Sequence, residues 1–234
     1  MKLIRQKLKL PIQVDQEGVA VERPIQTHGA LFPNLLRAAF IGGSGSGKTQ
    51  ALLTFIKHFN GLRFLGLYVY AKTLNQPKYI ELEQVMSKVP QVVYYASNEG
   101  LPPIHEILPY SLVIFDDVVC EEQKEVQEIY SFGRHQHLSC IYLCQSFCKI
   151  TKHLLRENLN FLVIFRVDMK NLKHIYDEFV GADMSLDKFK KICAVCWREP
   201  FGFLVISMEN PLNNGRYRKG MDQFFYINKP SLVN

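Results

Sequence analysis

Tryptophan occurs once in the 234 residues and cysteine only six times. Six thiols in a chain of this length are too few for a disulfide scaffold, which excludes the small cross-linked secreted classes. Long apolar runs are missing too. The best, residues 112–115 and 161–165, are strand-sized and far below the ~18 consecutive apolar residues of a membrane-spanning helix. The basic start, MKLIRQKLKL, lacks the uninterrupted apolar stretch of a secretory signal. A soluble intracellular protein is the expectation, with no membrane partner. Apolar residues at 47% and charged residues at 21% match ordinary globular proteins and exclude wholesale disorder. At ~150 residues per domain, the length argues for one large domain or a domain plus an appendage. Such a chain buries roughly 70–75% of its unfolded surface, enough for one solid core.

Three regions differ in pattern. Residues 1–35 show no helical period and read as an N-terminal arm or strand extension; Lys2, Arg5, Lys7 and Lys9 make it a candidate nucleic-acid contact, against the plainer reading of a solvated tail. Residues 36–209 read as the folded domain. Within them short apolar runs recur at 37–41, 64–71, 92–96, 112–115, 139–144, 161–167 and 201–207. Helical spacing lies between them. Residues 49–59 put Leu52, Leu53, Ile56 and Phe59 on one stripe, and residues 121–132 do the same with Val126, Ile129 and Tyr130. Strands apolar on both faces, alternating with helices, predict an α/β fold with a mostly parallel sheet covered on both sides. Residues 210–234 hold Pro211, Asn213, Asn214, Gly215 and Pro230 and read as a loop or C-terminal tail.

The strongest chemical signal is Gly42, Gly43, Ser44, Gly45, Ser46, Gly47, Lys48 and Thr49, a complete G-x-x-x-x-G-K-[ST] between a strand-like and a helix-like run. Glycines let backbone N–H groups close around phosphates, because no Cβ blocks the approach. The following helix adds the positive end of its dipole. Lys48 is expected to reach the β- and γ-phosphates and the Thr49 hydroxyl to ligate Mg²⁺. The cofactors implied are ATP and Mg²⁺.

Hydrolysis needs a carboxylate as well. Four apolar residues, 112–115, lead into Asp116 and Asp117 at a strand's C-terminal end, where ligands of parallel sheets sit. Asp116 is the candidate Mg²⁺ partner, through water, and Asp117 the group that orients and deprotonates the attacking water. Gln145 ends the run 139–144 and is placed to sense a γ-phosphate. Arg134, at the end of the charged helix, is a candidate arginine finger for a neighbouring subunit; a helix-terminal cation balancing the dipole is the equal alternative. Arg166, inside FLVIFRV, is a second finger candidate. Cys140, Cys144 and Cys148 are spaced as core thiols rather than ligands, and Cys193 and Cys196 lack a second ligand pair at zinc-site distance.

These motifs together resemble the FtsK–HerA superfamily of DNA-pumping ATPases. Within it the chain is similar to the poxvirus-type packaging ATPases of large DNA viruses, virophages and polinton-like elements. The resemblance covers residues 24–207 and rests on GGSGSGKT, LVIFDD, GRHQHLSCIYLCQS and NLNFLVIFRVD. Cellular relatives carry Asp-Glu where this chain has Asp116-Asp117. What the resemblance implies is an additional-strand, RecA-like P-loop ATPase that assembles as a homo-oligomeric ring of five or six subunits. Such a ring threads double-stranded DNA, without sequence preference, into a preformed capsid at portal or vertex proteins, in the virus assembly site of the host cell. The net charge of +6 is compatible with a DNA channel and does not establish one. Lys188, Lys190, Lys191 and Arg198, then Arg216, Arg218 and Lys219, are the densest C-terminal basic clusters and the candidate DNA or capsid contacts. Three readings stay open beside the packaging motor: a helicase or recombination pump, a nucleotide-gated ring scaffold with little turnover, and a small-molecule kinase.

Overall fold

The computed structural model describes residues 28–118, 123–150 and 156–227. The basic N-terminal residues Lys2, Arg5, Lys7 and Lys9 lie outside that range. In chain order the regular elements are β1 (Arg37–Ile41), α1 (Lys48–Lys57), β2 (Gly66–Ala71), α2 (Pro77–Met86), β3 (Val93–Ser97), β4 (Leu112–Asp116) and α3 (Lys124–Phe132). After them come β5 (Ser139–Cys144), β6 (Phe161–Ile164), α4 (Met169–Ile175), α5 (Leu186–Cys196), β7 (Leu204–Ser207), β8 (Tyr217–Lys219) and β9 (Gln223–Phe224). The strands form one sheet in the order β3-β2-β4-β5-β1-β6-β7-β8-β9. The first six in that order run parallel, and β7, β8 and β9 continue it antiparallel.

Burial follows the pleat. On β1, Ala38 and Phe40 face one core with Leu52, Leu53 and Ile56 of α1 and Leu82 of α2. Ala39 and Ile41 face the other, with Val126 and Tyr130 of α3 and Phe189 and Ile192 of α5. Alternate residues therefore pack against helices on opposite sides, which is why these strands read as unbroken apolar runs. Tyr130 is fully buried, and its hydroxyl donates to the Ala38 carbonyl at 2.7 Å. The Asp168 side chain caps α4 through Asn171 N at 2.9 Å.

Every expected strand run contains a strand, with ends that move by at most three residues and not at all for 37–41 and 139–144. Three expectations change. The first helix stops at Lys57, so Phe59 leaves the apolar stripe; it is 76% exposed and stacks on His58 with ring centroids 4.6 Å apart. The segment from residue 210 contains β8 and β9 within its described part, because Tyr217 and Arg218 find ladder partners on β7. Arg218 is consequently buried and donates to the Leu31 carbonyl at 2.7 Å, while Arg216 pairs with Asp183 at 2.6 Å and Lys219 with Glu199 at 2.9 Å. These three cations are held within the protein and make poor surface contacts for DNA or capsid. In the other basic cluster, Lys191 and Arg198 are exposed and Lys190 pairs with Asp187 at 3.6 Å.

His28 ties the first described residues to the sheet. The Arg63 backbone N–H donates to its Nδ1 at 3.0 Å, so Nε2 carries the proton and faces Ser139 Oγ at 2.8 Å. Burial, with a smaller contribution from the Arg63 charge, pulls the imidazole from 6.5 down to about 4. Between these values the unfolded chain binds a proton that the folded chain excludes, so stability falls as pH falls from 6.5 to 4. The full loss is about 3 kcal/mol. Urea melts across this range should show it, and His28→Gln should flatten that part of the slope.

Candidate nucleotide site

The sheet's register builds the site. Ile41 stands opposite Cys144 on one side and Ile164 on the other, and Asp116 stands opposite Leu143. The C-terminal ends of β1, β4, β5 and β6 therefore finish level. Beyond them the connecting segments hang from the same rungs. Gly42 N donates to the Cys144 carbonyl at 3.1 Å, and Asp117 N reaches the Leu143 carbonyl at 3.4 Å. Phe165 N donates to the Ile41 carbonyl at 2.8 Å.

From β1 the chain turns through the glycine-rich loop into α1. Gly47 takes φ +101°, a left-handed conformation that side chains disfavour, and caps the helix. At Gly42 a Cβ would lie 2.6 Å from Phe165 Cβ and 2.7 Å from Ser46 Oγ, so only glycine fits. The Ser46 hydroxyl is buried and makes no hydrogen bond within the protein. Lys48 Nζ donates to the Gly42 and Gly43 carbonyls at 2.7 and 3.0 Å. Burial lowers the affinity of Lys48 for its proton, and the charge of Asp116 opposes that shift.

One cavity of about 150 Å³ is lined by Ser44, Gly45, Lys48, Thr49, Asp116, Asp117 and Gln145, together with Ala71, Thr73, Gln76, Leu143 and Cys144. Residues from four separate stretches of sequence thus meet around one small polar space. Gly42, Gly43, Ser46 and Gly47 shape the loop without lining that space. Asp116 sits half-buried at the end of β4. Burial pushes its carboxyl above the usual carboxylate value, against the Tyr79 hydrogen bond and the Lys48 charge, while Asp117 adds to the rise. Asp117 is exposed and has φ +56°, so the chain turns sharply between the two acids and presents them differently.

Beyond the loop, two further predicted residues are not in the cavity. Arg134 lies in a 3₁₀ turn, Gly133–Gln136, that precedes β5 and so sits at the opposite edge of the sheet. The six residues of β5 separate it from the cavity by roughly 20 Å. Arg166 follows Phe165 just past β6, on the cavity's edge of the sheet but outside its lining. Both are exposed. Cys140, Cys144, Cys193 and Cys196 are buried free thiols on β5 and α5, and burial raises all four well above the ordinary thiol value.

Tyr79 was not legible as a site residue. It is buried on α2, and its hydroxyl donates to Asp116 Oδ2 at 2.5 Å. Burial, followed by the Asp116 charge, keeps the phenol protonated far above its ordinary value. The same helix is tied to α1 by Lys57 and Glu81 at 2.7 Å.

A model of the Poxvirus A32 protein family matches residues 27–196. The chain belongs to that family. The membership bears out the resemblance to poxvirus-type packaging ATPases drawn from the motifs, and the match spans β1 to α5. Among solved structures, the genome packaging NTPase B204 from Sulfolobus turreted icosahedral virus 2, in complex with sulfate, superposes with TM-score 0.52 at 16% identity. That superposition covers 74% of this chain and 92% of that one. EssC (ATPases 2 and 3) from Geobacillus thermodenitrificans gives TM-score 0.51 at 15% identity over 83% of this chain, which spans only 40% of that one. Likeness at such identities is a likeness of fold, here the P-loop ATPase fold. No curated protein matches the chain.

Removing the Tyr79 hydroxyl leaves the buried Asp116 carboxylate one donor short. Tyr79→Phe should lower kcat for ATP hydrolysis roughly tenfold, as expected for losing a hydrogen bond to a charged group. The melting temperature should change little, because the ring still fills its place. Steady-state kinetics at saturating ATP and Mg²⁺ checks this.

Proposed function

We propose that the protein is an Mg²⁺-dependent ATPase that drives double-stranded DNA, without regard to sequence, into a preformed viral capsid. It would work as a ring of five or six copies seated at a capsid portal or vertex, in the assembly site of the infected cell. The observation that carries the reading is the single cavity shared by the phosphate loop, the acid pair of β4 and Gln145 of the neighbouring strand. Family membership and the packaging NTPase among the solved structures support the choice of genome packaging over other motor tasks. Among the described residues no helix is long and apolar enough to cross a membrane.

The residues divide the work. Backbone N–H groups of the loop and the start of α1 hold the phosphates, and Lys48 exchanges its carbonyl contacts for β- and γ-phosphate oxygens. The donor set at Thr49 and Asp116 is all oxygen, a hydroxyl and a carboxylate lining one cavity, which suits a hard cation. Bound there, Mg²⁺ would neutralise charge building on the phosphates. Tyr79 holds Asp116 through Oδ2, and the Asp116 carboxylate would help to hold the metal. Asp117 orients the attacking water and accepts its proton. Gln145 contacts the γ-phosphate and reports its loss to β5. An arginine from the adjacent subunit completes the charge, and Arg134 is the first choice because its own cavity is out of reach.

Lys48→Ala should abolish hydrolysis, and DNA should stimulate the wild-type rate in a salt-dependent way. Equal turnover with and without DNA across a range of salt would remove the translocation claim. In single-turnover experiments Asp117→Asn should slow the chemical step by about 10²-fold or more, the usual contribution of a general base. Full activity in that variant would discard the role assigned to Asp117. Mixing the inactive Arg134→Ala and Lys48→Ala proteins should restore part of the activity, since some interfaces then pair an intact site with an intact arginine. No recovery on mixing would remove Arg134 as a finger acting between subunits.

A further inference from the structure

A second, larger cavity of about 890 Å³ runs along α1 beside the phosphate loop, and Phe165, Phe201, Phe203, Gly220 and Met221 form its apolar side. Gly47, the last glycine of the loop, belongs to its wall, and Gln50 and Thr54 of α1 continue that wall. The two cavities thus open on either side of one short stretch of backbone, Gly47 to Thr49. The first is small and lined by charged groups; the second is mostly apolar and within the ~300–1,000 Å³ range of small-molecule sites.

Phe201 stands out in this wall. It follows Pro200, its φ is +61°, and Gly202 N donates back to the Glu199 carbonyl at 3.1 Å. That is the φ pattern of a type II turn with proline in its second position and phenylalanine in its third, where glycine is the unstrained choice. A bulky residue in a left-handed conformation is a genuine outlier, and such strain gathers at ligand clamps. The strain is not repaid by burial, since the side chain is 69% exposed. Its ring lies against Gly47, with Cδ1 3.2 Å from where a Cβ there would stand. The turn is anchored on both sides, by Trp197 Nε1 donating to the Ile164 carbonyl at 3.0 Å and by Lys219 pairing with Glu199 at 2.9 Å. Behind it Phe165 and Phe203 pack with ring centroids 5.3 Å apart.

The geometry points to Phe201 as the platform on which the nucleobase of the bound triphosphate stacks, with Phe165, Phe203 and Met221 as the floor of the base pocket. The inference rests on the phosphate-loop reading above. With the β- and γ-phosphates held at Lys48, the base stands an α-phosphate and a ribose away. On one side of Gly47 that distance meets acids and Gln145; on the other it meets an exposed aromatic face over an apolar cavity. A flat apolar ring with a polar edge suits the second, and stacking on an aromatic side chain accepts any base.

Calorimetric titration of the full chain with ATP and with inorganic tripolyphosphate, each with Mg²⁺, separates the two parts of the site. Phe201→Ala should weaken ATP roughly 10- to 100-fold, the range of a lost base–aromatic stack, and leave tripolyphosphate unchanged. Phe201→Trp should keep wild-type affinity for ATP, and Phe201→Leu should behave like the alanine variant. With the side chain mostly exposed, these variants are expected to fold. Unchanged ATP affinity in Phe201→Ala, or equal weakening of both ligands, would overturn the stacking role. Lys48→Ala is the control for the underlying reading and should weaken both ligands; if it weakened neither, the phosphate site itself would be misplaced and the base pocket would fall with it.

Discussion

Asp116 has to carry a negative charge where burial makes that charge unfavourable, and much of the site's architecture answers this one problem. Alone at the end of β4 the carboxyl would sit further above the usual carboxylate value and be a weaker partner for a cation. Two groups pull the other way: the Tyr79 hydroxyl, and the Lys48 ammonium that lines the same cavity. Lys48 is itself destabilised by burial and supported by Asp116. Each charge thus supports the other, which couples the loop after β1 to the end of β4 across the intervening strand β5. A nucleotide and its metal would relieve both groups at once, so the energy that strains the site becomes available to binding.

Most of the fold was legible because the signals were local. Each parallel strand is apolar on both faces, and the pattern survives without knowing which strands are neighbours. The phosphate loop was legible for a similar reason: its glycines answer a local demand for left-handed and crowded backbone, as at Gly47 and Gly42. What stayed hidden depends on pairing at a distance. Tyr79 is buried on α2 beside Leu82 and Met86 like any core residue; only the sheet order, placing β2 beside β4, carries α2 and its hydroxyl over Asp116. Arg216 and Arg218 looked like a basic surface cluster until β8 paired with β7, which turned their side chains toward Asp183 and the Leu31 carbonyl. Phe201 lay in a segment read simply as strand, and its unusual backbone comes from the turn after α5.

Four non-glycine residues among those described have left-handed backbone: Tyr110, Asp117, His137 and Phe201. They divide between the two edges of the sheet. Asp117 and Phe201 flank the phosphate loop at the C-terminal edge, one beside each cavity. Tyr110 and His137 precede β4 and β5 at the opposite edge, where their rings stack with centroids 4.6 Å apart and planes 1° from parallel. Strain in this protein is thus spent at strand ends rather than scattered through loops.

The pair at the far edge bears on the arginine. Arg134 belongs to a turn closed by His137 N donating to the Arg134 carbonyl at 3.2 Å and Leu138 N to the Gly133 carbonyl at 2.9 Å, with Tyr110 stacked over its exit. Tyr110 N in turn donates to the Gln136 carbonyl at 3.2 Å. A solvated helix-end cation balancing a dipole needs no such fixation, since the dipole's effect is diffuse and confined to the last turn. A guanidinium that must meet a phosphate in another subunit does need it, because the geometry has to be set before the partner arrives. The turn joins directly to β5, whose other end carries Gln145 into the cavity. In a ring, that single strand would connect the group sensing one nucleotide with the group offered to the next, and a shift of β5 by a fraction of an ångström would be felt at both. The bonded backbone of the far edge thus fits the finger proposed for Arg134, and in the proposed ring β5 would offer a physical route between neighbouring sites.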